Sequence, residues 1–438
     1  MENFYLKPKQ FTGSIGIEGH TLDVTFTAGI DMTGEVVIDF ERFERSLQSA
    51  FIADYFHAEG MNFPEFKLVG SASDGTTFSS DNIIFTSLGN QFSDTFASLS
   101  PVAACTTAKF AMTGSERDPT TVKWLLKGYE GFRSLKEDTP LGTVGMLGVA
   151  TNDLGNQMSG RIQISANKLD NDLGTWRGEV DQLFARIRHV MSFAAGTMLS
   201  CPIVETIHDG VVTVETFSQA EQPVRGMGPF SSRNQDAIFQ YAIKSHFAPA
   251  FDVQNLHFAI TWFVMHNPYA EANLISAMTV LENLISSNLN EDETLLRPDK
   301  EFKKLRKKLR GVVKEEVLTW TENEAAQCQF VSDFDEKFGD LNRRSLKQKT
   351  DILARRWGVN LDGVEEEKIQ AAKKARDLIV HRGSYQPKPG SKSDLFDHVL
   401  ITRELVVRFI LTALQFDGRY YSFVDGYHET PFLKGIPS

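Results

Sequence analysis

The chain changes its hydrophobic period once, and that change divides it. Up to about residue 230, short runs rich in Phe, Val, Ile and Thr alternate apolar with polar residues and are separated by turn signals. GHTLDVTFTAGIDMTGEVVIDF (19–40) holds two such runs around a glycine-containing break, and GRIQISANK (160–168) reads the same way. In VETIHDGVVTVETF (204–217), Asp209 and Gly210 lie between two β-branched runs, a strong hairpin signal. One helix interrupts the strands: in EVDQLFARIRHVMSFAAGTM (179–198), Val180, Leu183, Ile187, Val190 and Met191 recur at helical spacing. The pattern predicts a β-rich, sandwich-like domain over 1–235, built as one unit or two subdomains, with one or two helices attached.

Beyond residue 235 the period is helical. Leu274, Met278, Leu281 and Ile285 form a stripe in 267–287; Phe302, Leu305, Leu309 and Val312 form another in 301–318. Residues 345–357, 365–382 and 394–416 read as further helices, the last with Leu395, Val399, Val406, Phe409, Ile410 and Ala413 on one side, while QPKPGSKS (386–393) is a loop. The fold class is therefore α+β and multidomain: a β-rich domain, then an all-α bundle with a C-terminal tail over 236–438. The aromatic tail GRYYSFVDGYHETPFLK (418–434) fits equally a lid on the bundle or a partner contact.

Composition adds limits. At 438 residues the chain exceeds the size at which one core stops growing, and its apolar and charged fractions, 41% and 24%, are those of a globular protein. No apolar run is long enough for a membrane span, and MENFYLKPKQ lacks the features of a secretory signal, so a cytoplasmic protein without a membrane partner is expected. Cys105, Cys201 and Cys328 are far apart and are expected as free, buried thiols. The net charge of −11 argues against a general nucleic-acid coat. It is unevenly spread: residues 1–250 hold 19 Lys and Arg against 29 Asp and Glu, net −10, and residues 251–438 hold 27 against 28, net −1.

The candidate chemistry lies in ARDLIVHRG (375–383). On a helical wheel Ala372, Ala375, Ile379 and Val380 share the apolar side, and Arg376 falls among them, an unusual place for a charge without a partner. His381 points about 140° away from Arg376 on an ideal helix, but Gly383 ends the helix where its last turn can tighten. Asp377 and His381, at i and i+4, share a face on which the carboxylate can orient the imidazole. Spacing alone leaves a capped helix end and an active site both open. The basic run KKLRKKLR (303–310) offers Lys303, Lys304, Lys307 and Lys308 either as the solvated face of an amphipathic helix or as an RNA-guiding surface. Glu282 and Asn283 are polar residues beside the packed stripe of their helix. His257 and His266 read as packed or loop residues. No metalloprotease, serine-hydrolase, Walker or dinucleotide-binding signature is present, and neither metal nor cofactor is expected.

RDLIVHRG, together with AMTVLENLIS (277–286) and its Glu282, and with FGDLNRRSLKQKTDILARRWGV (338–359), resembles the HEPN superfamily, in the branch of ApeA-like anti-phage proteins, over about residues 255–415. The match rests on an Arg-x4-His motif with a polar residue after the arginine and on a Leu-Asn-x-x-Ser stretch before a helix; Asp377 stands where that branch commonly has Asn. The resemblance implies a metal-independent endoribonuclease leaving 2′,3′-cyclic phosphate ends. It assigns Arg376 to the phosphate, His381 to acid–base chemistry and Asp377 beside them as catalytic residues, with Glu282 toward RNA; the four lysines come toward RNA from their charge pattern alone. It also implies a homodimer or higher oligomer that brings two Arg-His sets together, and an N-terminal domain that responds to a phage-derived or host trigger in abortive infection. The alternative is a non-catalytic module that binds RNA, a nucleotide or a protein.

Overall fold

Alternation in the first half becomes strands because β-branched and aromatic side chains fit a pleated surface with one buried face. The computed structural model describes residues 4–41, 43–44, 51–52, 54, 64–92, 97–131, 133–148, 156–167, 172–217, 226–231, 233–387, 394–424 and 426–435. Residues 388–393 of the proline-rich loop lie outside this set. The chain divides into two compact units, Met1–Ile243 and Lys244–Ser438.

In the first unit the opening strands are β1 (Phe4–Ile17), β2 (His20–Asp31), β3 (Val36–Phe40), β4 (Phe43–Glu44), β5 (Phe66–Ser71), β6 (Thr77–Phe92) and β7 (Ala97–Cys105). They are followed by β8 (Thr107–Thr113), β9 (Thr121–Lys127), β10 (Leu135–Thr139), β11 (Gly142–Gly148), β12 (Met158–Ser165), β13 (Ser200–His208) and β14 (Val211–Phe217). All fourteen belong to one antiparallel sheet, ordered β10-β11-β12-β9-β13-β14-β8-β6-β5-β1-β2-β3. β7 pairs with both β6 and the two-residue β4. Because β4 directly follows β3, these pairings return the sheet on itself, as a ring through β1, β2, β3 with β4, β7, β6 and β5. Ring contacts agree: Phe40 on β3 and Phe85 on β6 lie four strands apart, roughly 19 Å in a flat sheet, yet their centroids are 5.9 Å apart. Phe11, Phe26, Phe78 and Phe110 fill the enclosed core.

The expected sandwich of two stacked sheets is thus corrected to a single sheet, part of it curled closed. Alternation is the same in both architectures, so the sequence pattern does not distinguish them. The hairpin at Asp209-Gly210 forms as read, with both residues at positive φ (46° and 72°) between β13 and β14. The helix α1 (Leu173–Ala195) buries Val180, Leu183, Ile187, Val190 and Met191 completely.

The second unit is helical. After α2 (Phe239–Phe247), which straddles the division, come α3 (Leu256–Val264), α4 (Ala270–Ser287), the single turn α5 (Glu291–Thr294), α6 (Asp299–Val317), α7 (Glu324–Asp340), α8 (Leu346–Trp357), α9 (Glu366–Arg382) and α10 (Leu395–Ala413). α4 is the centre of a cluster with α3, α8, α9 and α10, and its stripe Leu274, Met278, Leu281 and Ile285 is fully buried. α6 and α7 pair with each other as a hairpin. Here the sequence stripe misleads: Phe302 is buried, but Leu305 and Val312 are 50% and 64% exposed. The tail folds back as a hairpin of β15 (Arg419–Ser422) and β16 (His428–Pro431), fastened to α10 by Glu404, which accepts from the Tyr420 hydroxyl (2.6 Å) and the Phe423 amide (2.8 Å). The tail thus packs on the bundle. Cysteines Cys105, Cys201 and Cys328 are free, and Cys328, expected buried, is exposed on α7.

Candidate functional site

α9 carries the Arg-His pair. Glu366 and Glu367 in its first turn and His381 and Arg382 in its last suit the helix dipole. Gly383, at φ 78°, ends it in the left-handed conformation that glycine adopts without strain, its amide donating to the Ile379 carbonyl at 2.8 Å. Ala372, Ala375 and Ile379 face the core, whereas Val380, expected with them, is 55% exposed.

Arg376 sits beside that buried face with its side chain 23% exposed, and two carboxylates hold it. Its Nη1 donates to Asp377 Oδ1 at 3.0 Å, and its Nη2 donates to Oε1 of Glu282 on α4. The packed α4 stripe positions Glu282 for this contact. Glu282, expected toward RNA, is therefore engaged by the arginine. The neighbouring Asn283 buries its Oδ1 without a hydrogen-bond partner. His381 is exposed, and among the described residues it takes no hydrogen bond or ion pair. The carboxylate of Asp377 reaches the adjacent guanidinium instead of the imidazole one turn on.

The Leu-Asn-x-x-Ser stretch has a visible local task. Asn342 is 4% exposed and clamps the backbone at Arg297 twice, donating to its carbonyl and accepting from its amide, both at 3.0 Å. Ser345 caps α8 in a capping box with Gln348. Sequence spacing located these residues, but the clamp between 297 and 342 is tertiary and has no local signal.

Lys303, Lys304, Lys307 and Lys308 are all exposed, on α6 rather than on the helices that hold Arg376. Lys303 pairs with Asp299 at 2.6 Å. His257 and His266, read as packed or loop residues, are both exposed, one in the first turn of α3 and one after it. A cavity of 260 Å³ opens elsewhere in the second unit, lined by Lys368, Asp397, His398, Ile401, Phe423 and Val424 among others. His398 is 4% exposed and shares a hydrogen bond of 3.2 Å with the Tyr385 hydroxyl. Burial lowers its pKa below the ordinary histidine value, against the opposing pull of Asp397 and Asp394.

Among the described residues no group of three or more His, Cys, Asp and Glu side chains is placed to hold a metal ion. No helix among them is long and apolar enough to cross a membrane. Comparison with known protein families, characterised proteins and solved structures finds no match for the chain. The site offers a guanidinium held by two carboxylates, a group that binds phosphate bidentately when its partners yield, with an exposed imidazole near the same helix end.

Proposed function

We propose that the second unit is a HEPN-like, metal-independent endoribonuclease, triggered through the β-rich unit in anti-phage defence. The supporting observation is the oriented Arg376, fixed by Glu282 and Asp377 from two helices, with His381 exposed near the end of the same helix. In the reaction the 2′-oxygen of RNA attacks the adjacent phosphorus as its proton passes to a base. The bond from phosphorus to the 5′-oxygen breaks, and an acid protonates that leaving oxygen. The products are a 2′,3′-cyclic phosphate and a 5′-hydroxyl. Arg376 would neutralise charge on the phosphorane oxygens. Base and acid are two roles and each chain offers one His381, so the reading calls for two chains across one cleft.

A second reading has its own support. Both of the arginine's carboxylate partners are in place, and a phosphate must displace or join them, which suits a structural arginine in a module that binds without cleaving.

Activity decides between them. The full-length protein incubated with mixed RNA in EDTA should yield 2′,3′-cyclic phosphate ends, and Arg376→Ala or His381→Ala should each reduce cleavage about 100-fold or more, on the order of the usual contribution of a charge-stabilising donor and of an acid–base group. Cleavage that persists in both variants, or its absence under every trigger tested in phage-challenged cells, would overturn the nuclease reading.

A further inference from the structure

The 260 Å³ cavity of the second unit has no part in the cleavage chemistry, yet its walls carry charges of both signs. Lys368 comes to it from the first turn of α9, Asp397 and His398 from the first turn of α10, and Phe423 and Val424 from the chain just after β15. Ile401, Phe423 and Val424 are buried and give the cavity an apolar wall. Among the described residues, Lys368 and Asp397 form no ion pair with each other although they line one space. Lys368 pairs with Glu365 at 3.6 Å, where both side chains are open to solvent and the attraction is weak. Asp397 spends its Oδ2 on the amide of Asp394, in the capping box of α10, and its Oδ1 takes no hydrogen bond among the described residues. His398 meets Tyr385 through Nε2, and its Nδ1 has no hydrogen-bond partner among the described residues although the side chain is 4% exposed. Burial keeps this imidazole uncharged near neutral pH, so Lys368 and Asp397 set the electrostatics of the cavity.

That pattern selects among ligands. A simple anion drawn to Lys368 meets the carboxylate of Asp397, and a simple cation drawn to Asp397 meets the ammonium of Lys368, so each is attracted and repelled in the same space. A ligand with one charge of each sign satisfies both walls. The volume lies just under the roughly 300–1,000 Å³ of sites that hold drug-sized molecules, so the occupant is small. We propose that the cavity binds a free α-amino acid with a branched or aromatic side chain. Lys368 donates to its carboxylate, its ammonium donates to Asp397, and its side chain lies on the wall of Ile401, Phe423 and Val424. Nδ1 of His398 offers a further polar contact, as donor or acceptor according to its tautomer.

Calorimetric titration of the full-length protein tests this with L-phenylalanine and L-leucine as probes. At least one should bind saturably, with a Kd of about 1 mM or tighter, the range open to so small a ligand. For a protein that binds phenylalanine, 3-phenylpropionate lacks the ammonium and phenethylamine lacks the carboxylate, and each should bind about tenfold more weakly or worse, the usual weight of one charged contact; for leucine the matching pair is 4-methylpentanoate and 3-methylbutylamine. Two variants should remove these differences separately. Lys368→Gln should reduce the amino acid to the level of its amine analogue, and Asp397→Asn, which retains a side chain able to accept from the Asp394 amide, should reduce it to the level of its acid analogue. Leu400→Trp, which places a larger side chain on the cavity wall, should bind neither probe. Lys368 is partly exposed, so Lys368→Gln keeps the test readable if Leu400→Trp does not fold. Absence of saturable binding by both amino acids would overturn the proposal, as would single-charge analogues that bind as tightly as the amino acid, or an affinity unchanged in Lys368→Gln. The inference goes beyond the nuclease reading and is measured without RNA, so the failure of either leaves the other standing.

Discussion

His398 shows how one side chain can make the second unit sensitive to pH. Its folded pKa lies below the ordinary value of about 6.5, so between the two values the unfolded chain binds the proton and the folded chain does not. Stability is then complete above about pH 6.5 and falls as pH drops from there toward the folded pKa. Urea unfolding followed between pH 7.5 and 5 should show this loss, and His398→Gln should flatten it; an equal slope in both proteins would assign the effect to other groups. Residues of this kind are poorly legible in sequence. The Arg376–His381 spacing is visible in the sequence, yet the carboxylate that reaches Arg376 across the bundle, Glu282, is 94 positions earlier in the chain. Helical period placed it beside a packed stripe without showing what it meets. The short-range reading of Asp377 toward His381 failed for a related reason: an i, i+4 spacing permits a contact, and the adjacent guanidinium competes for the same carboxylate.

At the scale of elements, stripes predicted helices well and their burial unevenly. Leu274 to Ile285 is buried as its spacing demands, because α4 is surrounded; the similar stripe from Phe302 to Val312 is half uncovered, because among the described residues α6 packs chiefly on α7. Amphipathic spacing states that a face is apolar, and only tertiary structure states whether anything covers it. The tail is a second case, since its attachment depends on Glu404. That carboxylate is completely buried and also accepts from Arg408 Nε at 2.7 Å, so one residue joins α10 to β15 and to the turn after it. Glu404→Ala strands the Arg408 charge, the Tyr420 hydroxyl and the Phe423 amide. It should lower stability by about 3–5 kcal/mol, the usual cost of breaking a buried pair, and expose 418–434 to limited proteolysis. A loss below about 1 kcal/mol would place Glu404 in the range of surface pairs.

At the scale of the whole molecule, a β-rich half followed by a helical half was legible from period alone. Ring closure was not, because it is created by two residues, Phe43 and Glu44, pairing with Leu99 and Ser98. That seam has a consequence in time. Strands β1 to β3 form by neighbouring hairpins, but the ring cannot shut until a strand more than fifty positions later exists, about 3–11 s of chain synthesis at ordinary rates. The helical unit waits longer still in synthesis, because α4 packs against α10, more than a hundred positions later, but once the whole chain is present the non-local pairing of strands is the slower class of event. Refolding should therefore be biphasic, with a fast helical phase and a slower one from the closing sheet. Trp124 and Trp176 report on the first unit and Trp262, Trp320 and Trp357 on the second. Stopped-flow fluorescence of Trp124→Phe with Trp176→Phe should lose the slow amplitude and keep the fast one; a slow phase retained in full would mean that the helices set the pace. Until the seam shuts, β3 and its neighbours offer open edges to other chains, so the vulnerable interval for aggregation falls early in the life of each molecule.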